Sequence, residues 1–169
     1  SVIKRNESRV PITSITLWRR VENEYFTFET DNITDLSDLQ HLPNLEELDI
    51  QGVPSALTEI DLSRNTKLRK LNCANTSIAS FDLSNNTELV ELNLSGTPIT
   101  SVDLYSNTKL TKLELRSCES LNSLDVSNLS NLTMLNCAYS KLTALNVAGN
   151  TQLVALYCSG NQLTELNVS

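Results

Sequence analysis

Catalytic chemistry in proteins often depends on histidine, and this sequence of 169 residues has one, His41. A single histidine excludes multi-histidine metal sites and HExxH zinc helices, and no serine has a histidine and an acid that could form a triad with it. His41 lies between Gln40 and Leu42-Pro43, where we expect a solvated loop residue. We therefore predict no catalytic residue, no cofactor-binding residue, no metal ligand and no enzymatic activity.

The four cysteines could in principle form disulfides, bind zinc or act as nucleophiles. Their spacings are 45, 19 and 21 residues, and none lies in a CxxC motif. Cys73, Cys137 and Cys158 occupy a position that leucine takes elsewhere, so we expect free thiols that pack as small apolar side chains. A disulfide between stacked neighbours would have an awkward geometry, and it stays an alternative, as does a metal site. Cys118 falls at a turn without a histidine partner, which favours a structural role.

Acids and amides also recur at one position, in the order Asp61, Asp82, Asp103, Asp125, Asn146 and Asn167. A column of carboxylates could bind a cation. The alternative is a solvated face whose carboxylates accept hydrogen bonds from nearby Ser, Thr or backbone groups. We favour the solvated face because no calcium-loop motif accompanies the column.

These recurrences belong to an internal repeat of 21 to 23 residues. The first leucine of the repeated phrase falls at 45, 68, 89, 110, 132 and 153. Each unit has the form LxxLx[LC], and a turn position follows at Thr76, Thr97, Cys118, Ser140 and Asn161. A second strand-sized phrase completes each unit, which leaves no room for a long helix. With 29 leucines and 19 asparagines in the chain, this pattern is the signature of a leucine-rich repeat.

The repeat predicts a right-handed solenoid with little helix outside residues 30–45. The first phrase of each unit should form one strand of a parallel β-sheet on the concave side, and the second phrase an extended or short-strand convex side. The predicted concave strands are 47–51, 70–74, 91–95, 112–116, 133–137 and 154–158. Neighbouring coils stack about 4.8 Å apart, and each coil covers the apolar surface of the next.

The N-terminal part of the chain is less regular. The segment around Ile15 aligns with the second, convex phrase, and the segment around Phe26 and Phe28 aligns with the concave one. We expect one domain over residues 1–169, with irregular repeats at 1–43 and regular repeats at 44–169. Because the repeat stops in mid-phrase without the polar cap that solenoids need, we expect this domain to be part of a longer protein.

Charge and hydropathy limit the possible partners. The net charge is −7 and no lysines or arginines cluster, whereas nucleic-acid-binding proteins carry basic patches. No apolar run approaches the roughly 20 residues that span a bilayer. We predict a monomer that binds no nucleic acid and no cofactor and does not insert into a membrane within this segment.

The phrases Leu135-Asn136-Cys137 and Leu156-Tyr157-Cys158, each followed by Leu-Thr-x-Leu-Asn-Val, resemble the repeats of internalin-J-type bacterial surface proteins, which have relatives in Bacteroidetes. The resemblance covers residues 44–169 closely and 11–43 loosely. It implies an inward cysteine ladder, interrupted here by Leu94 and Leu115. It also implies a non-catalytic, secreted or cell-surface protein that binds protein partners, although the chain has no sorting motif or lipobox.

The solvent-facing positions of the concave strands are the candidate binding residues. They are Asp49, Lys70, Asn72, Glu91, Asn93, Lys112, Glu114, Met134, Asn136, Tyr139 and Tyr157, flanked by Gln51, Ser95, Arg116 and Ser159. Met134, Tyr139 and Tyr157 form a partly apolar cluster, and aromatic anchors dominate interface energetics. The alternative is a solvated surface that binds nothing.

The sequence thus leaves two hypotheses about function. The first is a protein-binding or adhesion module of a bacterial secreted or cell-surface protein, which binds a protein ligand through its concave sheet. The negative net charge favours a ligand with a basic or neutral surface. The second is a structural spacer that displays other domains of a larger surface protein.

Overall fold

The computed structural model describes residues 13–16, 35–53 and 56–168. Seven strands form one parallel sheet in the order β1-β2-β3-β4-β5-β6-β8, and β7 pairs in parallel with β9. The bounds are β1 Ser14–Thr16, β2 Glu47–Asp49, β3 Lys70–Asn72, β4 Glu91–Asn93, β5 Lys112–Glu114, β6 Met134–Asn136, β7 Ala144–Asn146, β8 Ala155–Tyr157 and β9 Glu165–Asn167. Within the described ranges the one helical segment is the 3₁₀ helix Ser37–His41.

The register of the sheet follows the leucine repeat. Leu48 pairs with Leu71, which pairs with Leu92 in turn, so equivalent residues of successive coils stack directly on one another. These central leucines are at most 2% exposed, because alternate residues of a strand point to opposite faces of the sheet. The predicted solenoid is therefore confirmed, with its concave sheet built from the first phrase of each unit.

The core is a single aliphatic column that runs through every coil. One coil contributes Leu89, Leu92, Leu94, Ile99 and Leu104, all at most 3% exposed. Burying each such side chain contributes about 1.5–3 kcal/mol before conformational entropy is subtracted. Neighbouring coils provide the cover, so the stability of one coil depends on the next.

A column of buried asparagines, the asparagine ladder, joins the coils on the convex side. Its members Asn65, Asn86, Asn107 and Asn150 are at most 3% exposed. Each Nδ2 group donates to two carbonyl oxygens of the preceding coil; for Asn86 these are Leu62 O at 3.1 Å and Asn65 O at 2.9 Å. Both carbonyls also accept a backbone N–H, from Asn65 and Leu68 respectively, so the asparagine supplies a second hydrogen bond to each.

Leu129 interrupts the asparagine ladder and is itself fully buried. The carbonyls that an asparagine would reach there, Leu104 O and Asn107 O, still accept the backbone N–H groups of Asn107 and Leu110. No acceptor is left without a donor, which explains why this coil accommodates leucine. Asn150 in the following coil resumes the pattern by donating to Leu129 O at 2.9 Å.

Two details differ from the predictions. The concave strands have three residues rather than five, because the chain turns away directly after the third residue. The assignment of Ile15 to the convex side was wrong, since Ile15 pairs with Leu48 in the concave sheet. The two residues are 33 positions apart, a separation that the 21-residue repeat did not anticipate. Phe26 and Phe28 lie outside the described residues.

The described part of the chain contains very little helix. The short 3₁₀ helix falls inside the range 30–45 where a helix was expected. Among the described residues no helix has the length and hydropathy to cross a membrane.

Candidate functional site

The concave sheet displays two columns of side chains beside its buried central leucines. The first column is Glu47, Lys70, Glu91, Lys112, Met134 and Ala155, and the second is Asp49, Asn72, Asn93, Glu114, Asn136 and Tyr157. The sheet register thus brings together ten of the eleven candidate residues. Tyr139, the eleventh, lies in the turn after β6. An open groove of about 260 Å³ runs over strands β1 to β5.

Ion pairs organise the charged half of the concave face. Lys70 Nζ lies 3.5 Å from an oxygen of Glu47 and 3.5 Å from one of Glu91, and these two carboxylates raise the pKa of Lys70. Lys112 Nζ lies 3.4 Å from Glu114 Oε1. The lysines are about half exposed, so solvent screens these ion pairs and they add little to stability.

The second column has a structural task that the sequence analysis did not foresee. Oδ1 of Asp49, Asn72, Asn93 and Asn136 each accepts the backbone N–H two residues further along, at 3.0 to 3.2 Å. This Asx turn redirects the chain at the ends of strands β2, β3, β4 and β6. These residues therefore have one side-chain group fixed by the fold, and only the other can meet a partner.

The side-chain amides of the second column differ in whether they already donate a hydrogen bond within the protein. Nδ2 of Asn72 donates to Gln51 Oε1 at 3.1 Å, and Nδ2 of Asn136 donates to Glu114 Oε2 at 3.0 Å. For Nδ2 of Asn93, no hydrogen bond is found within the described part of the chain. A ligand in the groove would meet that amide near the middle of the sheet.

The aromatic residues lie at the C-terminal end of the concave face. Tyr139 and Tyr157 are 53% and 56% exposed, and Met134 is half-buried. The guanidinium carbon of Arg116 lies 5.2 Å from the centre of the Tyr139 ring, within the range of a cation–π contact. We call Arg116 and Tyr139 the Arg–Tyr pair.

Tyr139 adopts a backbone conformation that tyrosine disfavours. Its φ is 59°, and the same turn is formed by Gly52, Asn75, Gly96, Ser117 and Gly160 in other coils. A left-handed residue with a Cβ costs about 1–2 kcal/mol more than glycine. A Cβ on Gly160 would lie 2.5 Å from Tyr139 Cδ1, so the glycine leaves room for the ring.

The convex aspartates form the hydrogen-bonded arrangement that the sequence analysis favoured. Asp61, Asp82, Asp103 and Asp125 each accept the N–H two residues along, at 2.9 to 3.0 Å. The hydroxyl and N–H of Ser84 lower the pKa of Asp82, while the neighbouring Asp61 acts weakly in the opposite direction. Within the described ranges, no three His, Cys, Asp or Glu side chains are grouped so as to hold a metal ion.

The four thiols are free. Burial raises the pKa of the Cys73 thiol far above its usual range and that of Cys137 to about 12. Cys118 Sγ donates to Leu94 O at 3.2 Å, which suits the structural turn role expected of it. Cys158 is only half-buried, so the prediction that all three leucine-position cysteines are buried was wrong for this one.

Comparisons with known proteins bear on the fold. A family model described as "Leucine Rich repeat" matches residues 106–130. The Listeria monocytogenes internalin InlF is similar over 80% of this chain, at 24% identity and a TM-score of 0.51. The fold is a leucine-rich-repeat solenoid. The leucine-rich-repeat ectodomain of the Arabidopsis thaliana receptor kinase GASSHO1/SCHENGEN3 is similar over 78% of the chain, at 21% identity and a TM-score of 0.50.

A third solved structure is the functional domain of Listeria monocytogenes InlJ, which includes a cysteine ladder. It is similar over 80% of this chain, at 27% identity and a TM-score of 0.43. The chain spans 39% of the InlJ chain, 57% of the InlF chain and 22% of the plant ectodomain. A search of curated proteins found no match.

The Arg–Tyr pair was not predicted from the sequence, although the residues at this turn position in the other coils gave one signal. Residues 52, 75, 96, 117 and 160 are Gly, Asn, Gly, Ser and Gly at a fixed place in the repeat, and glycine and asparagine are typical of a left-handed turn position. Tyr139 stands out against that column. The contact of its ring with Arg116 depends on the stacking of two coils, which no local pattern reveals.

Proposed function

We propose that this leucine-rich-repeat protein is a non-catalytic binding module that holds a protein ligand on its concave sheet. The observation that carries the proposal is the display of two side-chain columns on a sheet whose central leucines are buried in strands β2 to β6. A binding surface that is held in place by coil-to-coil hydrogen bonds before the ligand arrives lowers the ordering cost of association. Tyr139, Tyr157 and Arg116 belong to the residue types that dominate binding energy.

The structural neighbours support a protein partner and an extracellular context. The plant ectodomain with this fold was solved in complex with CASPARIAN STRIP INTEGRITY FACTOR 2, and InlF is an internalin. We propose that the chain acts as a monomeric domain over residues 1–169 of a bacterial secreted or cell-surface protein. The candidate contacts are the two columns and Tyr139.

One observation favours the alternative, a spacer that binds nothing. The Asx turns and ion pairs occupy many of the concave polar groups, so their presence is explained by the fold alone. The exposed tyrosines and the free amide of Asn93 are not explained in that way, and for this reason we prefer the binding module.

Site-specific photo-crosslinking separates the two functions. A benzoylphenylalanine in place of Tyr157, a 56% exposed aromatic of the second column, should crosslink to a protein from cell-surface or extracellular-matrix preparations. The matched control carries the same group at Tyr105, which is 76% exposed and lies outside the concave sheet. Equal crosslinking from both positions, or none from Tyr157, would support the spacer instead.

A further inference from the structure

The Arg–Tyr pair conflicts with the local preferences of the fold. At the turn position of Tyr139, three of the five other coils carry glycine and one carries asparagine. The left-handed backbone conformation is energetically unfavourable for tyrosine, and more than half of the surface of Tyr139 stays exposed to solvent. Folding gains little from such a ring, and strained residues of this kind concentrate at functional sites.

Arg116 also differs from the two lysines of the concave face, whose charges are paired with glutamates. Lys70 and Lys112 are each within 3.5 Å of a glutamate oxygen. Arg116 has no ion pair within the described part of the chain, and its guanidinium lies over the Tyr139 ring. A ring contact leaves the N–H donors of the guanidinium free, and their fork matches the two oxygens of a carboxylate.

We propose that the Arg–Tyr pair is the specificity-determining contact of the concave face and receives an acidic segment of the protein ligand. A carboxylate of that segment pairs with Arg116, and an apolar neighbour covers the ring of Tyr139. The proposal rests on the proposed function and deepens it. The proposal also gives the two ends of the concave face different charges. The groove over β2 to β5 is lined by four carboxylates and two lysines, whereas the pair carries a single positive charge.

The first test concerns the fold alone. Tyr139→Gly places in this turn the residue that Gly52, Gly96 and Gly160 use. The urea midpoint should stay equal to that of the wild type or rise. A lower midpoint would show that the ring is retained for packing, and would overturn the inference.

The second test uses a phage-displayed library of random linear dodecapeptides as the probe. Panning on the immobilised wild-type protein should enrich peptides with Asp or Glu next to an aromatic or aliphatic residue. Their affinity should fall at least tenfold on Tyr139→Gly and on Arg116→Glu, and remain unchanged on Tyr105→Ala. Panning on Arg116→Glu should enrich lysine or arginine instead, a readout that does not depend on the backbone of residue 139.

The outcomes distinguish this inference from the proposed function. Peptides that lose affinity on Glu91→Ala but not on either variant of the pair would overturn the inference and leave concave binding in place. Enrichment of basic peptides on the wild type would also overturn it. A library that yields no binder blocked by any concave variant would count against concave binding itself, and the inference would fall with it.

Discussion

Replacing Asn86 tests how much of the stability comes from the asparagine ladder. Asn86→Ala removes two hydrogen bonds to Leu62 O and Asn65 O, each with a net value of about 0.5–1.5 kcal/mol. Both carbonyls keep their backbone donors, so no desolvation penalty of an orphaned acceptor is added. A small cavity is left in a fully buried site and raises the cost. Asn86 Oδ1 is itself buried without a hydrogen-bond partner in the described part of the chain, so its removal recovers part of the cost. We expect a loss of about 1–3 kcal/mol in the free energy of unfolding.

Two further substitutions at the same position separate the contributions. Asn86→Leu should cost less than Asn86→Ala, because leucine fills the site as Leu129 does in its own coil. Asn86→Asp should cost at least as much at neutral pH, because a buried carboxylate would face two carbonyl oxygens. Burial raises the pKa of such an acid in the folded state. Its penalty should therefore be smallest below about pH 4 and grow as pH rises towards the folded-state pKa.

Equilibrium urea unfolding, followed by far-UV circular dichroism, provides the measurement. The matched control is Asn85→Ala, because Asn85 precedes Asn86 in the chain and is exposed; its midpoint should not change. The reasoning would be refuted if Asn86→Ala unfolded within about 0.5 kcal/mol of the wild type, the range typical of surface substitutions. It would equally be refuted if Asn85→Ala cost as much.

Three further predictions concern thiols, acid stability and the turn beside Tyr139. Cys158, which is half-buried, should react with a thiol reagent in the native protein, while the buried Cys137 reacts only on unfolding; labelling both at the same rate would contradict the burial pattern. Hydrogen bonds lower the folded-state pKa of Asp82, so its stabilisation is complete above about pH 4 and lost as pH falls through the lowered pKa. Asp82→Asn should therefore reduce the acid sensitivity of the urea midpoint while keeping the turn, as Asn146 does; an unaltered pH profile would show that this carboxylate does not matter. Gly160→Ala should lower the unfolding free energy by roughly 1–3 kcal/mol, because its φ is +71° and the new Cβ would meet the Tyr139 ring; a stable variant with an unmoved ring would contradict that packing.

The repeat, the parallel sheet and the inward direction of the central leucines could be predicted from the residues alone. In a solenoid each coil packs only against the coils next to it, so a period of about 21 residues also sets which residues stack. The two concave columns could be assigned for the same reason, once the strand phrase was in register. A 21-residue period gave the wrong position for Ile15, because the chain takes 33 residues to return to the sheet there.

Which polar side chains hydrogen-bond within the fold depends on how the coils stack. Asn86 and Asn93 are the same amino acid only seven positions apart, yet Asn86 is buried and donates to the preceding coil, while Asn93 lines the groove. The difference depends on which carbonyl oxygens the adjacent coil presents, a matter of distance and direction rather than residue type. The Arg–Tyr pair likewise exists only because stacking brings Arg116 and Tyr139, 23 positions apart, within contact.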